Sequence, residues 1–246
     1  MSSAQARLRP SRPLQFFGVG DAALAGRRFV IDGSRATAVP FQRVALLVRY
    51  VDEEAWSIDA IARYRSDPKW LDVQAHLHET VLDRAMARGS VVPAPFLTFF
   101  ENTAELNERA QQSYDRWRRS LARISGKDEW ALHAYLGPHA VPLPRPYVLR
   151  MTPPRSRATP PSIAAYATAP AAETLGKMWR ACSALASASR PLDPSTVPQH
   201  LFSAAFLLQR ARVDAFREGL ERFSASAQRA GLTVYLEGPR PPYSFV

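Results

Sequence analysis

The sequence predicts an α+β protein built as two small domains, each a mixed or antiparallel sheet with helices packed on one face. Three observations carry this expectation. Strand-length apolar runs recur in both halves of the 246-residue chain. Each half also carries two longer stripes of apolar residues at three-and-four spacing, the signature of amphipathic helices. Strands and helices come in mixed order, which argues against a single doubly wound sheet. Hydrophobic residues make up 46% of the chain, enough to bury a sizeable core.

Residues 1–13 read as a disordered basic tail with Arg7, Arg9 and Arg12. The first domain is expected over residues 14–125. Residues 14–20 form a strand ending in a glycine turn, and 28–31 a second strand stopped by Asp32-Gly33. Residues 44–51 are apolar on both alternating faces except at Arg49, the pattern of a central strand covered on both sides. Asp67-Pro68 opens a helix, the Asp as cap and the Pro in the first turn. Its apolar stripe is Val73, Leu77, Val81 and Ala85, and Gly89 ends it. Residues 91–100 form a strand whose Pro93 and Pro95 suit a sheet edge. A second helix follows Asn102, with a stripe of Leu106, Ala110, Tyr114, Trp117, Leu121 and Ile124, and Gly126 closes it.

The second domain, residues 126–246, begins with a strand at 129–135. Residues 138–170 are rich in proline and read as a long loop or semi-rigid linker. A helix is predicted over 171–189, with Leu175, Met178, Cys182 and Leu185 on one side, and a buried strand over 201–208. Val213, Phe216, Leu220, Phe223 and Ala227 form one further helical stripe, flanked by possible ion pairs Arg217–Glu221 and Glu218–Arg222. Gly231 turns the chain into a last strand, and residues 238–246 leave the sheet as an arm. This second domain is expected to be a ferredoxin-like variant.

The arm is the most informative segment. Pro239, Pro241 and Pro242 fix their own backbone angles and donate no ladder hydrogen bonds. They stiffen a strap that carries Tyr243 and Phe245. Two readings follow: the arm closes its own core, or it presents a partner-binding edge. The core strap is preferred, with Phe245 largely buried, because the arm follows directly from a strand and ends in apolar residues.

Composition narrows the function. The chain has no apolar run long enough to span a bilayer and no signal-peptide core near its start, so a cytoplasmic protein without membrane association is expected. Cys182 is the only cysteine; on an apolar stripe it reads as a buried, inert thiol. The net charge of +10 comes almost wholly from scattered arginines, Lys69, Lys127 and Lys177 being the only lysines. A basic nucleic-acid-binding module is the alternative function, and Phe16 and Phe17 beside Arg12 are its one hint. Gly18-Val19-Gly20 with Gly26 has the wrong spacing for a dinucleotide fingerprint, and no phosphate-binding loop or nucleophile elbow is present. His76, Glu79 and Asp83 share a helical face, but they read as an ordinary polar face. Further ligands would have to come from His133, His139 or His200. No nucleophile is visibly paired with a base and an orienting group, so no catalysis, metal or cofactor is expected.

Several segments resemble, in order, the gas vesicle protein F and L family. Leu14-Gln15-Phe16-Phe17-Gly18-Val19 resembles its opening strand, and His78-Glu79-Thr80-Val81-Leu82-Asp83 its first-helix signature. Residues 91–100 stand where the family usually reads Val-Leu-Pro-Val-Arg-Phe-Gly-Thr-Val-Phe. Gly126-Lys127-Asp128-Glu129-Trp130 resembles its Gly-Lys-x-Glu-Trp segment, and Pro146-Tyr147-Val148-Leu149-Arg150 its Tyr-Leu-Leu-Arg segment. The terminal Gly238-Pro239-Arg240-Pro241-Pro242-Tyr243-Ser244-Phe245 resembles its Gly-Pro-Trp-Pro-Pro-Tyr-Ser-Phe signature. The departures are Ala94, Pro95 and Leu97 around Phe96, and Arg240 for Trp. The resemblance implies an accessory or minor structural protein of gas vesicle assembly. Its implied partners are the hydrophobic shell protein and other accessory proteins, and its implied place is the vesicle itself. Phe96 and Trp130 join the five arm residues as candidates for partner binding or arm packing.

Overall fold

A computed structural model describes residues 12–53, 56, 60, 63–64, 66–137, 167–192 and 199–246. The expected tail (but for residues 12–13) and residues 138–166 of the proline-rich stretch 138–170 lie outside the described residues, and the end of that stretch, Ala169 and Pro170, is helical rather than loop. The chain divides into two compact units that meet in sequence at Ser125 and Gly126. Every strand pairing in both is antiparallel.

The first unit contains strands β1 (Leu14–Asp21), β2 (Arg28–Ile31), β3 (Ser34–Phe41), β4 (Val44–Tyr50) and β5 (Val91–Phe100), in the order β2-β3-β4-β1-β5. Strand β3 was not anticipated. Its sequence mixes Arg35, Thr37 and Pro40 with small apolar residues, so its period-two signal is weak. The turn before it was legible: Asp32 and Gly33, both at positive φ, form a two-residue hairpin connection rather than a stop. Helix α1 (Pro68–Met86) is capped by Asp67, whose Oδ1 accepts from the Lys69 N–H at 3.0 Å. Helix α2 (Thr103–Ile124) is capped by Asn102, which accepts from the Glu105 N–H; Glu105 in turn accepts from the Glu101 N–H.

The two helices cover opposite faces of this sheet. Phe16 packs on Trp117 of α2 with ring centroids 5.9 Å apart, while its neighbour Phe17 packs on His78 of α1 at 5.6 Å. This corrects the one-face arrangement for the first unit, and it is the covering that the two-sided apolar pattern of β4 calls for. It also moves the stripe of α1: Val73 is 63% exposed, and Leu77, His78, Val81, Leu82 and Ala85 face inward. Both Phe16 and Phe17 are buried, so the aromatic-and-basic hint of nucleic-acid binding has no surface there. Gly18 has φ +152°, and a Cβ on it would sit 2.4 Å from the Val92 carbonyl oxygen; the glycine lets β5 approach this close.

The second unit contains β6 (Lys127–Leu136), α3 (Ala169–Leu185), β7 (Ala188–Pro191), β8 (His200–Gln209), α4 (Val213–Glu221), α5 (Ser224–Arg229) and β9 (Leu232–Arg240). The order β7-β8-β6-β9 is that of a ferredoxin-like sheet. The predicted helix over 171–189 is two elements: α3 stops at Leu185 and residues 188–191 pair with β8. The single stripe predicted after residue 213 is broken at Arg222 and Phe223 into α4 and α5. Here the helices do lie on one face. Trp130, Leu132, Phe202 and Phe206 of the sheet meet Leu175, Met178 and Cys182 of α3 and Phe216 of α4 in one core. Cys182 is 1% exposed, and burial pushes its thiol up to about 12.

Candidate functional site

The C-terminal arm is the candidate site with the most elaborate support. It leaves the sheet after Arg240, three residues later than the sequence suggests, because β9 runs on through Gly238-Pro239. The pairing with β6 slips there: Ala131 faces Glu237 while Glu129 faces Arg240, so β9 carries an extra residue opposite Trp130. A Cβ on Gly238 would lie 2.7 Å from the Trp130 indole. The bulge and the glycine together seat the indole, and the Arg217 guanidinium lies over the same ring, 5.0 Å from its centroid. Arg217 is thus engaged with Trp130 instead of the expected Glu221.

Glu129 anchors the arm. Its side chain is fully buried. Its Oε2 accepts from the Ser244 N–H at 2.8 Å, and its Oε1 accepts from the Ser244 hydroxyl at 2.9 Å. Arg240 Nε stands 3.5 Å from the same carboxylate and Arg240 Nη1 3.6 Å from Glu237. Pro241, Pro242, Ser244 and Phe245 are buried, Tyr243 is half-buried and Pro239 is exposed. Phe245 is 2% exposed, and Arg190 lies over its ring. The Gly-Lys-x-Glu-Trp segment and the terminal signature, over a hundred residues apart, are therefore one packed assembly.

The sheet face away from the helices is polar and holds a feature the sequence concealed. Ser203 Oγ lies 3.0 Å from His133 Nδ1, and His133 Nε2 lies 3.6 Å from Glu237. Ser203 and His133 face each other across β8 and β6, and Glu237 sits on β9. No spacing rule links positions 133, 203 and 237, so sequence inspection found no such trio. It has the residue types of a hydrolytic relay, but Ser203 is only 1% exposed. Only the Ser203–His133 contact is a hydrogen bond; His133 and Glu237 stand at ion-pair distance. His200, stacked on Tyr135 at 4.6 Å, is held down to about 4 by burial and by nearby His133.

In the first unit, Phe96 is half-buried, its ring 5.7 Å from His78. Burial holds His78 down to about 4 against a backbone hydrogen bond to Ala94. A separate aromatic patch joins Tyr64, Trp70, Trp56 and Phe99, with successive centroids 5.5, 5.4 and 4.6 Å apart. Tyr64 is exposed and the other three are half-buried. No apolar stripe marks this patch in one dimension, because its members come from four separate segments. His76, Glu79 and Asp83 do not converge: His76 reaches out to Asp32 at 3.8 Å and Glu79 is buried. Among the described residues, no group of three or more His, Cys, Asp or Glu could hold a metal ion.

Comparison with known proteins bears on all of these features. The family model described as gas vesicle synthesis protein GvpL/GvpF matches residues 17–246. Gas vesicle protein L of Streptomyces sp. (strain CB03234) is 27% identical over 196 residues, covering 73% of this chain and 71% of that protein. The crystal structure of GvpF from Anabaena sp. PCC7120 superposes with a TM-score of 0.69 at 14% identity, covering 96% of this chain and 98% of the other. GvpF from Microcystis aeruginosa gives a TM-score of 0.66 at 13% identity, covering 95% and 98%. At such identities these two structures speak for the fold.

Proposed function

The chain belongs to the GvpL/GvpF family of gas vesicle synthesis proteins; on that premise we propose that it is a non-catalytic accessory or minor structural protein of gas vesicle assembly, working in the cytoplasm by binding the hydrophobic shell protein and other accessory proteins. The observation that carries this reading is the family match across nearly the whole chain, residues 17–246. The geometry supports it in two ways. The exposed Tyr64 and the half-buried Trp70, Trp56 and Phe99 offer an aromatic surface of the kind that anchors protein interfaces. The edge strand β5 is blunted by Pro93, Pro95 and a register slip against β1, which disfavours uncontrolled strand addition and leaves side-chain recognition. The terminal arm serves as an internal strap in this reading, with Tyr243 its most accessible ring.

Co-purification tests the proposal. Tagged chain co-expressed with the shell protein should retain it, and a Tyr64→Ser, Trp70→Ser double variant that still melts cooperatively should retain much less. Failure of the unaltered chain to capture the shell protein, in a host where vesicles form, would refute the proposal.

A further inference from the structure

We propose that the first unit holds a binding site for an acidic peptide segment of a partner protein, in the cleft formed by β3, the end of β4 and Trp56. The cleft has a volume of about 480 Å³, and its lining includes Arg12, Arg35, Arg49, Tyr50, Asp52 and Trp56. The described lining thus carries three guanidinium groups and one carboxylate. Arg49 is the unusual member. It lies on a central strand, and burial pushes its guanidinium down to about 10. Its Nη1 donates to Ser34 Oγ at 3.1 Å and its Nη2 to Gln74 Oε1 at 3.2 Å. The guanidinium carbon sits 5.3 Å from the centroid of the Trp56 ring.

Both hydrogen-bond acceptors are neutral, and Arg49 Nε is buried without a hydrogen-bond partner. Among the described residues, no carboxylate forms an ion pair with Arg49. Gln15, its register partner on β1, is likewise buried with neither amide atom hydrogen-bonded. Charges withdrawn from water are normally paired, so a half-buried guanidinium held by neutral acceptors in the wall of an open cleft leaves positive charge for an incoming anion to neutralise. Arg12 and Arg35, both exposed, add to that field.

The chemistry of the lining selects the class of anion. Among the described residues that line the cleft, none opens a helix and Gly33 is the single glycine, so the usual phosphate-binding device is not among them. What remains are planar guanidinium groups beside Trp56 and Tyr50. Such forks match carboxylates, and the rings accept the apolar stems of the side chains that carry them. The inference does not require the shell-protein contact.

The test is fluorescence anisotropy with a labelled octapeptide of alternating Asp and Glu, against its Asn and Gln counterpart, at about 0.15 M salt, where screening acts over about 8 Å. The acidic peptide should bind and the amide peptide should not. Arg49→Gln should weaken binding about tenfold or more, and Arg35→Gln by less. Arg118→Gln, on exposed α2 surface, should leave it unchanged. If Arg49→Gln fails to melt cooperatively, an Arg12→Gln, Arg35→Gln double variant carries the test and should also lose about tenfold. Three results would overturn the proposal. The acidic peptide does not bind; Arg118→Gln weakens it as much as the cleft variants, which would mean net charge alone; or inorganic phosphate binds more tightly than the peptide, which would mark a site for small oxyanions.

Discussion

At Leu97 the backbone has φ +59°, a left-handed conformation that costs a residue with a Cβ about 1–2 kcal/mol. The family pattern has Gly here, which adopts it without that cost. Replacing Leu97 by Ala keeps the strain and loses the half-buried side chain; replacing it by Gly loses the same side chain and releases the strain. Leu97→Gly should therefore be more stable than Leu97→Ala by about 1 kcal/mol, the reverse of the usual order, as read from denaturant midpoints. Arg240, the other departure, is integrated differently. It neutralises Glu129, which is fully buried. Arg240→Ala should cost about 3 kcal/mol or more, because it strands a buried carboxylate. Adding Glu129→Gln to that variant should restore part of the loss, since the amide still accepts from Ser244 and carries no charge. Additive losses in the double-mutant cycle would mean that the two side chains do not act as a pair.

At the scale of elements, the arm joins the sheet at its far end through Glu129, Trp130 and Ser244. Truncation after Gly238 would expose the site of Phe245, whose burial contributes about 1.5–3 kcal/mol, and would leave Glu129 buried without Ser244 or Arg240. The truncated chain should melt roughly 10 °C lower or more. An unchanged melting temperature with lost partner binding would instead make the arm a docking edge. These elements also show where sequence reading succeeds and stops. Caps at Asp67 and Asn102, the apolar run of β8 and the glycine turn at Gly126 are local signals, and local signals were legible. Strand β3 and the break at Phe223 were not, because tertiary contact overrides a weak period at the first and a continuous stripe at the second. The terminal signature was visible as a motif, yet its anchor at Glu129 was not. The pairing depends on a bulge that no one-dimensional pattern encodes.

Across the whole molecule, the described residues of each unit include a buried histidine that the fold keeps neutral: His78 between Phe17 and Phe96 in the first, His200 against Tyr135 in the second. Both are held down to about 4, first by burial, with His133 adding to the effect at His200. The ordinary value in an unfolded chain is about 6.5. Between these limits the unfolded chain binds protons that the folded one refuses. Stability is therefore fully present above about pH 7, falls as the pH drops through 6.5 toward 4, and levels off below that for these groups. Each histidine can withdraw up to about 3 kcal/mol over this window, so both units weaken together on mild acidification. Melting temperatures measured from pH 8 to pH 4.5 should fall steeply below pH 6.5. In a His78→Phe, His200→Phe double variant, which replaces each imidazole by a ring among aromatic neighbours, the slope over this window should be much shallower. A variant that keeps the full slope would show that the two histidines do not set the acid sensitivity.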